Sequence, residues 1–261
     1  MRQSKLKMWV GVGSYLLSGM ASTAIATQIQ PARAETVDLS APPAFLQILA
    51  AGEGGEGGEG GEGTPAAGTA VYGKTFANKM TKAALLTSLR QGGHIIYLRH
   101  AQTEKDYADQ ADPKLDLNNC ATQRALNAKG IAQAKSIGAG IRAAKIPVGT
   151  VLASDYCRAW KTASLAFGTY KKNSGLNFVK SEEYNAAQRL EMKTAVMPLL
   201  TAVPTPGTNT VIVGHDDVFD AASGFYPKPQ GVAYILKPDG KGKFTIVYNM
   251  PPEGWATIAN K

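Results

Sequence analysis

One short stretch, residues 93–103, constrains the fold of this chain more than any other. Its sequence is GHIIYLRHAQT, in which an apolar run at residues 95–98 is followed at once by Arg99 and His100. A short apolar run rich in β-branched and aromatic residues is typical of a buried central strand in a parallel sheet. Ligands of open α/β sheets bind beyond the carboxyl ends of such strands. The stretch therefore predicts a functional site at residues 99 and 100.

The side chains at this strand end suit the chemistry of phosphate groups. Arginine offers a planar fork that fits a phosphate, and histidine is a nucleophile or proton carrier near neutral pH. His215 and Arg158 also follow predicted strands, so we expect one convergent cationic pocket. The third histidine, His94, lies at the far end of the first strand and is predicted to be structural or exposed.

The rest of the pattern predicts an α/β fold. Helical spacing marks residues 78–91, 128–145 and 186–202, and a further helix capped by Ser154 or Asp155 ends near Gly168. Strand patterns mark residues 95–98, 148–154, 176–179 and 211–213, and a terminal hairpin is predicted at 232–236 and 243–248. This alternation predicts a three-layer sandwich with a mixed, mostly parallel sheet flanked by helices.

The first residues are typical of an export signal. Arg2, Lys5 and Lys7 precede an uncharged stretch, residues 8–27, and two small-residue cleavage patterns follow. We predict that residues 1–34 are a signal peptide and that the protein is periplasmic or secreted, with no stable membrane insertion after cleavage. An uncleaved anchor is the alternative, because about 20 uncharged residues can span a bilayer.

Residues 35–70 are predicted to be a disordered acidic linker, and residues 71–261 the folded domain. The linker has six acidic residues and no basic ones, and at 52–63 it repeats glycine and glutamate with a period of three. Such a segment cannot bury a core. A docking tail is the alternative interpretation.

Charge indicates an anionic ligand for the folded domain. The whole chain has a formal net charge of +8, and from Val71 onward 24 Lys and Arg stand against 14 Asp and Glu. No basic stripe is interleaved with aromatic residues, so nucleic acid is not an expected partner.

The two cysteines, Cys120 and Cys157, predict a disulfide if the protein is exported. Two free buried thiols are the alternative. The bridge would close a loop of 38 residues, which the chain-entropy model values at about 4 kcal/mol. It would also tie residues 119–124 to the turn that carries Arg158.

Three motifs in order resemble the signatures of the histidine phosphatase superfamily, the phosphoglycerate-mutase-like group. They are LRHAQT at 98–103, SDYCRAWKTA at 154–163 and VGHD at 213–216. The resemblance implies a mixed α/β sheet, and together with the signal pattern at residues 1–34 it describes a small exported member. It also implies that His100 is the nucleophile, that Arg99, Arg158 and His215 clamp the phosphate, and that neither a metal nor another cofactor is needed.

The proton donor for the leaving group stays open between two carboxyl groups. Mutase-like members have a glutamate after the second arginine, where Glu182 and Glu183 stand, and acid phosphatases have an aspartate after the second histidine, here Asp216. Glu183 is favoured over Asp216. Thr103 and Arg124 are candidate substrate contacts, with loop packing and a surface cation as their alternatives.

The expected function is hydrolysis of phosphomonoesters through a phosphohistidine, on small phosphorylated substrates or phosphoproteins. A phosphoglycerate-type mutase is a weaker expectation, because export removes it from cytoplasmic sugar phosphates. The remaining alternative is a catalytically weak or inactive phosphate-binding or partner-docking protein of the same fold.

Overall fold

The structure, a computed structural model, describes residues 75–104, 114–181 and 183–259. The predicted signal peptide and linker, the first residues of the predicted folded domain and Glu182 lie outside the described residues, so those assignments stay predictions. Within the described ranges, no helix is both long enough and apolar enough to cross a membrane.

A single mixed sheet organises the described residues, and β1 lies inside it. The strand order is β3-β2-β4-β1-β5-β6, with parallel pairing from β3 to β1 and antiparallel pairing of β5 with both β1 and β6. The predicted mixed, mostly parallel sheet is confirmed. The strands are β1 (Ile95–Arg99), β2 (Val148–Ala153), β3 (Lys171–Lys172), β4 (Asn209–Gly214), β5 (Ala233–Pro238) and β6 (Phe244–Met250).

Helices cover both faces of this sheet, which confirms the predicted three-layer sandwich. The helices are α1 (Lys82–Gln91), α2 (Ala128–Ala143), α3 (Cys157–Phe167), α4 (Ala186–Thr201) and α5 (Asp216–Ser223). Ile96 and Leu98 of β1 belong to the core shared with α1, α2 and α3. Ile95 and Tyr97 belong to the core shared with α4 and α5. Alternate residues of β1 thus face opposite layers, as the two-residue period of a strand requires.

The register of the three central strands brings their carboxyl ends to one edge of the sheet. Leu98 and Ala153 are both paired with Val213 of β4. The next residues continue the alignment, because the N–H of His100 donates to the carbonyl of Gly214 at 3.0 Å and that of Ser154 donates to Val213 at 3.0 Å. The chain therefore leaves β1, β2 and β4 side by side, and this edge carries the residues of the predicted site.

Two elements differ from the sequence prediction. Residues 176–179, predicted as a strand, begin with the last residue of a short 3-10 helix (Ser174–Leu176) and form no strand, and the edge strand is β3 instead. Leu176 and Phe178 are buried without strand pairing, so their alternation indicated burial and not a sheet. The N-cap of α3 is Tyr156, not Ser154 or Asp155, and it makes no side-chain capping hydrogen bond.

Close packing of α2 on α3 depends on Gly138, and its replacement tests this contact. A Cβ atom there would overlap the backbone carbonyl of Ala166. We expect Gly138→Ala to destabilise the protein by about 1–3 kcal/mol, although alanine is the better helix former. Thermal unfolding measures the change. Ser136→Ala, at an exposed position of the same helix, is the control and should unfold no earlier than wild type. Equal melting temperatures for Gly138→Ala and wild type would contradict this packing.

Candidate active site

His100 is the first residue after β1, and its surroundings fix where its proton lies. The side chain is fully buried. Its Nδ1 is 2.8 Å from the carbonyl oxygen of Ala101, which can only accept, and its Nε2 is 3.2 Å from Nε–H of Arg158, which can only donate. The proton therefore lies on Nδ1, and Nε2 is unprotonated, with its lone pair accepting from Arg158. This is the tautomer that a nucleophilic Nε2 requires.

His215 follows β4 and is the N-cap residue of α5. The Tyr97 hydroxyl holds its backbone, because it donates to the His215 carbonyl at 2.7 Å and accepts from the His215 N–H at 3.0 Å. The Nε2 atom lies 2.8 Å from Oγ of Ser154. The Nδ1 atom is buried and has no hydrogen-bond partner among the described residues. A bound anion could satisfy this nitrogen when the nitrogen carries a proton.

Arg99, the last residue of β1, is buried and held on two sides. Its Nη2 forms an ion pair with Asp216, and its Nη1 donates to the carbonyl of Pro227 at 2.9 Å. Within the part of the chain that the structure describes, its buried Nε has no hydrogen-bond partner. Fixed in this way, Arg99 offers the Nε edge of its guanidinium group to a ligand.

Arg158 is the second residue of α3, and its side chain belongs to the site. It is buried, and its guanidinium carbon lies 4.9 Å from the ring centre of Tyr156 and 5.3 Å from that of Phe178. Aromatic faces favour a cation at such distances. Arg158 contacts His100, and the ring centres of His100 and His215 are 5.5 Å apart, so the structure brings these three predicted side chains together. Arg99 is near enough for its charge to lower the pKa of His100.

Burial and charge keep both histidines neutral. Burial is the main reason why the pKa of His100 is well below its usual value, and the charges of Arg158, His215 and Arg99 lower it further. Burial likewise lowers the pKa of His215 well below its usual value, followed by the charges of Arg158, Arg124 and Arg99. For both histidines, burial lowers the pKa more than the nearby cations do.

Two carboxyl groups, those of Asp216 and Asp217, lie near Arg99, and a third, that of Glu183, was predicted from the sequence to act in the site. Asp216 is buried against Arg99 and accepts a hydrogen bond from the Tyr226 hydroxyl. Asp217, the next residue of α5, has its pKa raised to about 7 by burial and by the charge of Asp216. Glu183 has an exposed side chain, and the structure does not bring it into contact with the described site residues. Its catalytic role stays a prediction.

The two candidate substrate contacts have different surroundings. Thr103 is buried, and its hydroxyl accepts a hydrogen bond from Gln230 at 3.3 Å while its N–H donates to the same side chain at 2.9 Å. This arrangement fits loop packing. Arg124 is partly buried, and its charge lowers the pKa of His215. Arg124 is therefore close enough to act on the site electrostatically.

The disulfide between Cys120 and Cys157 is present, which confirms the predicted pairing. Cys120 begins a short 3-10 helix and Cys157 begins α3, next to Arg158. A second tether acts in parallel, because the N–H of Cys157 donates to the side-chain oxygen of Gln123 at 2.8 Å. The loop that carries Arg124 is thus fixed to the helix that carries Arg158.

Several supporting residues were missed by sequence reasoning. Tyr97, Gln123, Asn177 and Gln230 each hold a site residue or its neighbour through a hydrogen bond across more than 20 positions. Such pairs leave no periodic signal. Tyr97 had a weak one, because the polar hydroxyl of a buried tyrosine needs a partner. His94 is buried, and its Nδ1 is 3.0 Å from the Gly92 carbonyl, consistent with a structural role.

The described ranges contain no group of three or more His, Cys, Asp or Glu side chains that could hold a metal ion. The structure brings together two buried histidines, His100 and His215, and two buried arginines, Arg99 and Arg158. These define an α/β domain with a buried imidazole pair and a guanidinium pair at the carboxyl edge of its sheet.

The sequence model of the histidine phosphatase superfamily (branch 1) matches residues 95–178 of this chain. The match includes the first two motifs, and the third, at 213–216, lies beyond it. The family resemblance predicted from the motifs is therefore confirmed. No curated protein sequence matches the chain significantly.

Several solved structures resemble the chain at low identity. The protein histidine phosphatase SixA, complexed with tungstate, has a TM-score of 0.44 and 15% identity, over 61% of this chain and 97% of its own. A phosphoserine phosphatase mutant from Entamoeba histolytica, complexed with phosphoserine, has a TM-score of 0.46 and 13% identity, over 62% of this chain and 98% of its own. Mycobacterial glucosyl-3-phosphoglycerate phosphatase has a TM-score of 0.43 and 16% identity, over 55% of this chain and 89% of its own. Likeness at this level carries no information about the substrate of this chain.

Removal of the disulfide tests whether it holds the site in place. We expect Cys120→Ser with Cys157→Ser to lose about 2–4 kcal/mol of stability and to bind inorganic phosphate more weakly, because Arg158 follows Cys157 directly. Thermal unfolding and phosphate titration measure the two effects. The double variant is also the control for dithiothreitol, which should weaken wild type and leave the variant unchanged. Reduction of wild type without any change in either measurement would contradict the prediction.

Proposed function

We propose that this chain hydrolyses phosphomonoesters through a phosphohistidine formed on His100. The observation that carries the proposal is the hydrogen bonding of His100, which leaves Nε2 unprotonated beside Arg158. Nε2 attacks phosphorus, the bond to the leaving oxygen breaks, and that oxygen takes a proton from the protein. Water then attacks the phosphohistidine and gives a proton back to the group that protonated the leaving oxygen. The bond between phosphorus and Nε2 breaks, which releases inorganic phosphate and returns the lone pair to Nε2.

The arginines and His215 supply the charge stabilisation that phosphoryl transfer needs. The Nε of Arg99 and the Nδ1 of His215 are buried nitrogens without hydrogen-bond partners among the described residues. A phosphate placed against His100 would accept a hydrogen bond from Nε–H of Arg99, and it would accept one from Nδ1 of His215 once that nitrogen is protonated. Asp216 and the Pro227 carbonyl fix the Arg99 guanidinium, so it needs little reordering when the anion arrives.

For the leaving-group proton, the proposal assigns the adjacent pair Asp216 and Asp217 rather than Glu183. Asp216 lies within the site, and the raised pKa of Asp217 keeps a proton available near neutral pH. Glu183 is exposed to solvent. We further propose that the protein is periplasmic or secreted, because residues 1–34 have the pattern of a signal peptide. We also propose that the reaction needs no metal ion, because the arginines supply the positive charge.

Hydrolysis of para-nitrophenyl phosphate tests the nucleophile. We expect turnover that EDTA does not change and that His100→Ala lowers by at least about 10³-fold. Because the pKa of His100 is lowered, the loss of kcat/KM caused by its protonation should occur only well below pH 6.5. Mass spectrometry after an acid-free quench should find the phosphoryl group on His100.

His94→Gln, at the opposite end of β1, is the control for loss of an imidazole and should remain active. Inorganic phosphate that binds to a wild type without turnover would select the alternative of an inactive phosphate-binding protein. Turnover that survives in a folded His100→Ala would contradict the proposal.

Comparison of two leaving groups identifies the acid. Loss of the proton donor should slow phenyl phosphate far more than para-nitrophenyl phosphate, because the better leaving group needs less protonation. We expect this selective loss, roughly tenfold or more, in Asp216→Asn or Asp217→Asn. Glu191→Gln, at an exposed position of α4, is the control acid. A selective loss in Glu183→Gln, with none in the aspartate variants, would assign the proton to Glu183 instead.

A further inference from the structure

A chain of hydrogen bonds leads away from His215 on the side of its Nε2. Nε2 is 2.8 Å from Oγ of Ser154, and this hydroxyl donates to the side-chain oxygen of Asn177 at 2.7 Å. The Asn177 amide nitrogen in turn donates to a carboxylate oxygen of Asp155 at 2.8 Å. Ser154 and His215 are fully buried, whereas Asn177 and Asp155 are partly buried. We call Ser154, Asn177 and Asp155 the His215 relay.

The direction of every bond in the relay is fixed by its far end. The backbone N–H of Asp155 donates to the side-chain oxygen of Asn177 at 3.0 Å, and the Asp155 carboxylate accepts from the amide nitrogen. The Asn177 amide can therefore have only one orientation. Because the Ser154 hydroxyl gives its proton to Asn177, its oxygen is left as an acceptor for His215. The proton of neutral His215 must then lie on Nε2, and Nδ1 must be bare.

The two site histidines therefore carry their protons on opposite nitrogens. His100 is protonated at Nδ1 and keeps a bare Nε2, while His215 is protonated at Nε2 and keeps a bare, buried Nδ1. A bare Nδ1 would repel a phosphate oxygen, because both atoms are acceptors. His215 can bind the anion only after Nδ1 takes up a proton.

We propose that the His215 relay is a positioning device that makes phosphate binding depend on protonation of His215 at Nδ1. This deepens the proposed function and rests on it, because the same site is involved. The relay keeps Nε2–H engaged, so the added proton can only enter at Nδ1, where it forms a charge-assisted bond to the anion. The Asp155 carboxylate at the end of the relay stabilises the resulting imidazolium.

The charged groups around His215 support this arrangement. Burial and the charges of Arg158, Arg124 and Arg99 all favour the neutral ring. The neighbouring His100 is held neutral for the same reasons. The negative charge of a phosphate dianion would offset the effect of these cations on the pKa of His215. Asp155 adds a second negative charge, which the relay connects to His215. Protonation should therefore accompany phosphate binding and be absent without it.

Nitrogen NMR of the histidine rings tests the relay without relying on activity. In the full chain labelled with ¹⁵N, we expect His215 to be protonated only at Nε2 in phosphate-free buffer. Saturation with inorganic phosphate should protonate both nitrogens. Ser154→Ala removes the acceptor, so Nδ1–H should become populated without phosphate, and kcat/KM for para-nitrophenyl phosphate should fall roughly 10- to 100-fold.

Asp155→Asn is the second variant, because it keeps the shape of the relay and removes its charge. It should retain the Nε2–H tautomer and lose part of the protonation caused by phosphate. Asn173→Ala is the matched control, because the Asn173 side chain accepts from the N–H of Gly175 and, among the described residues, forms no hydrogen bond with Ser154, Asn177 or Asp155. Its His215 signals should equal those of wild type.

The possible outcomes separate the two proposals. Identical His215 nitrogen shifts in wild type, Ser154→Ala and Asp155→Asn, with and without phosphate, would overturn the relay. A wild type that does not turn over para-nitrophenyl phosphate, but whose His215 tautomer changes in Ser154→Ala, would refute the proposed function and support the relay. If Ser154→Ala does not fold, the Asp155→Asn spectra decide.

Discussion

The burial of two guanidinium groups at the carboxyl edge of the sheet is the constraint on which the site depends. Arg99 and Arg158 are both nearly inaccessible to solvent, and a buried cation is costly unless its surroundings compensate it. Compensation comes from Asp216 and the Pro227 carbonyl for Arg99, and from the faces of Tyr156 and Phe178 for Arg158. The same two cations, together with burial, keep both neighbouring imidazoles neutral. Two buried arginines beside neutral histidines favour the binding of an anion with several oxygen atoms.

The location of the site could be predicted from the sequence because strand ends are readable. The run at residues 95–98 is buried on both faces, and only a central strand needs four consecutive apolar side chains. The first polar residues after such a strand must lie at the edge of the sheet. His100 and His215 follow parallel neighbours β1 and β4, so the topology alone places them close together. The sequence-model match over residues 95–178 adds a family resemblance to this placement, but the geometry follows from the strands.

What surrounds the site could not be predicted, because it depends on contacts between distant segments. Leu176 and Phe178 alternate like strand residues, yet they pack on the side of the sheet where Tyr156 and His215 lie, and the segment forms no ladder. Ser154 has the side chain of a good N-cap, but its hydroxyl contacts Asn177, His215 and the N–H of Tyr156, and Tyr156 is the N-cap of α3 and has no side-chain capping bond. The two-residue strand β3 (Lys171–Lys172) has no apolar pattern because it is a short edge strand of the sheet.

The opposite tautomers of the two histidines follow from which neighbour holds each ring. His100 is held by a carbonyl at Nδ1, which leaves Nε2 as a base, and His215 is held by a hydroxyl at Nε2, which leaves Nδ1 as the atom that faces no protein partner among the described residues. One ring is therefore prepared to give an electron pair and the other to receive a proton. Because a carbonyl and a hydroxyl-amide chain cannot exchange these roles without breaking several buried hydrogen bonds, the nucleophile and the clamp are distinguished by the scaffold before any substrate is present.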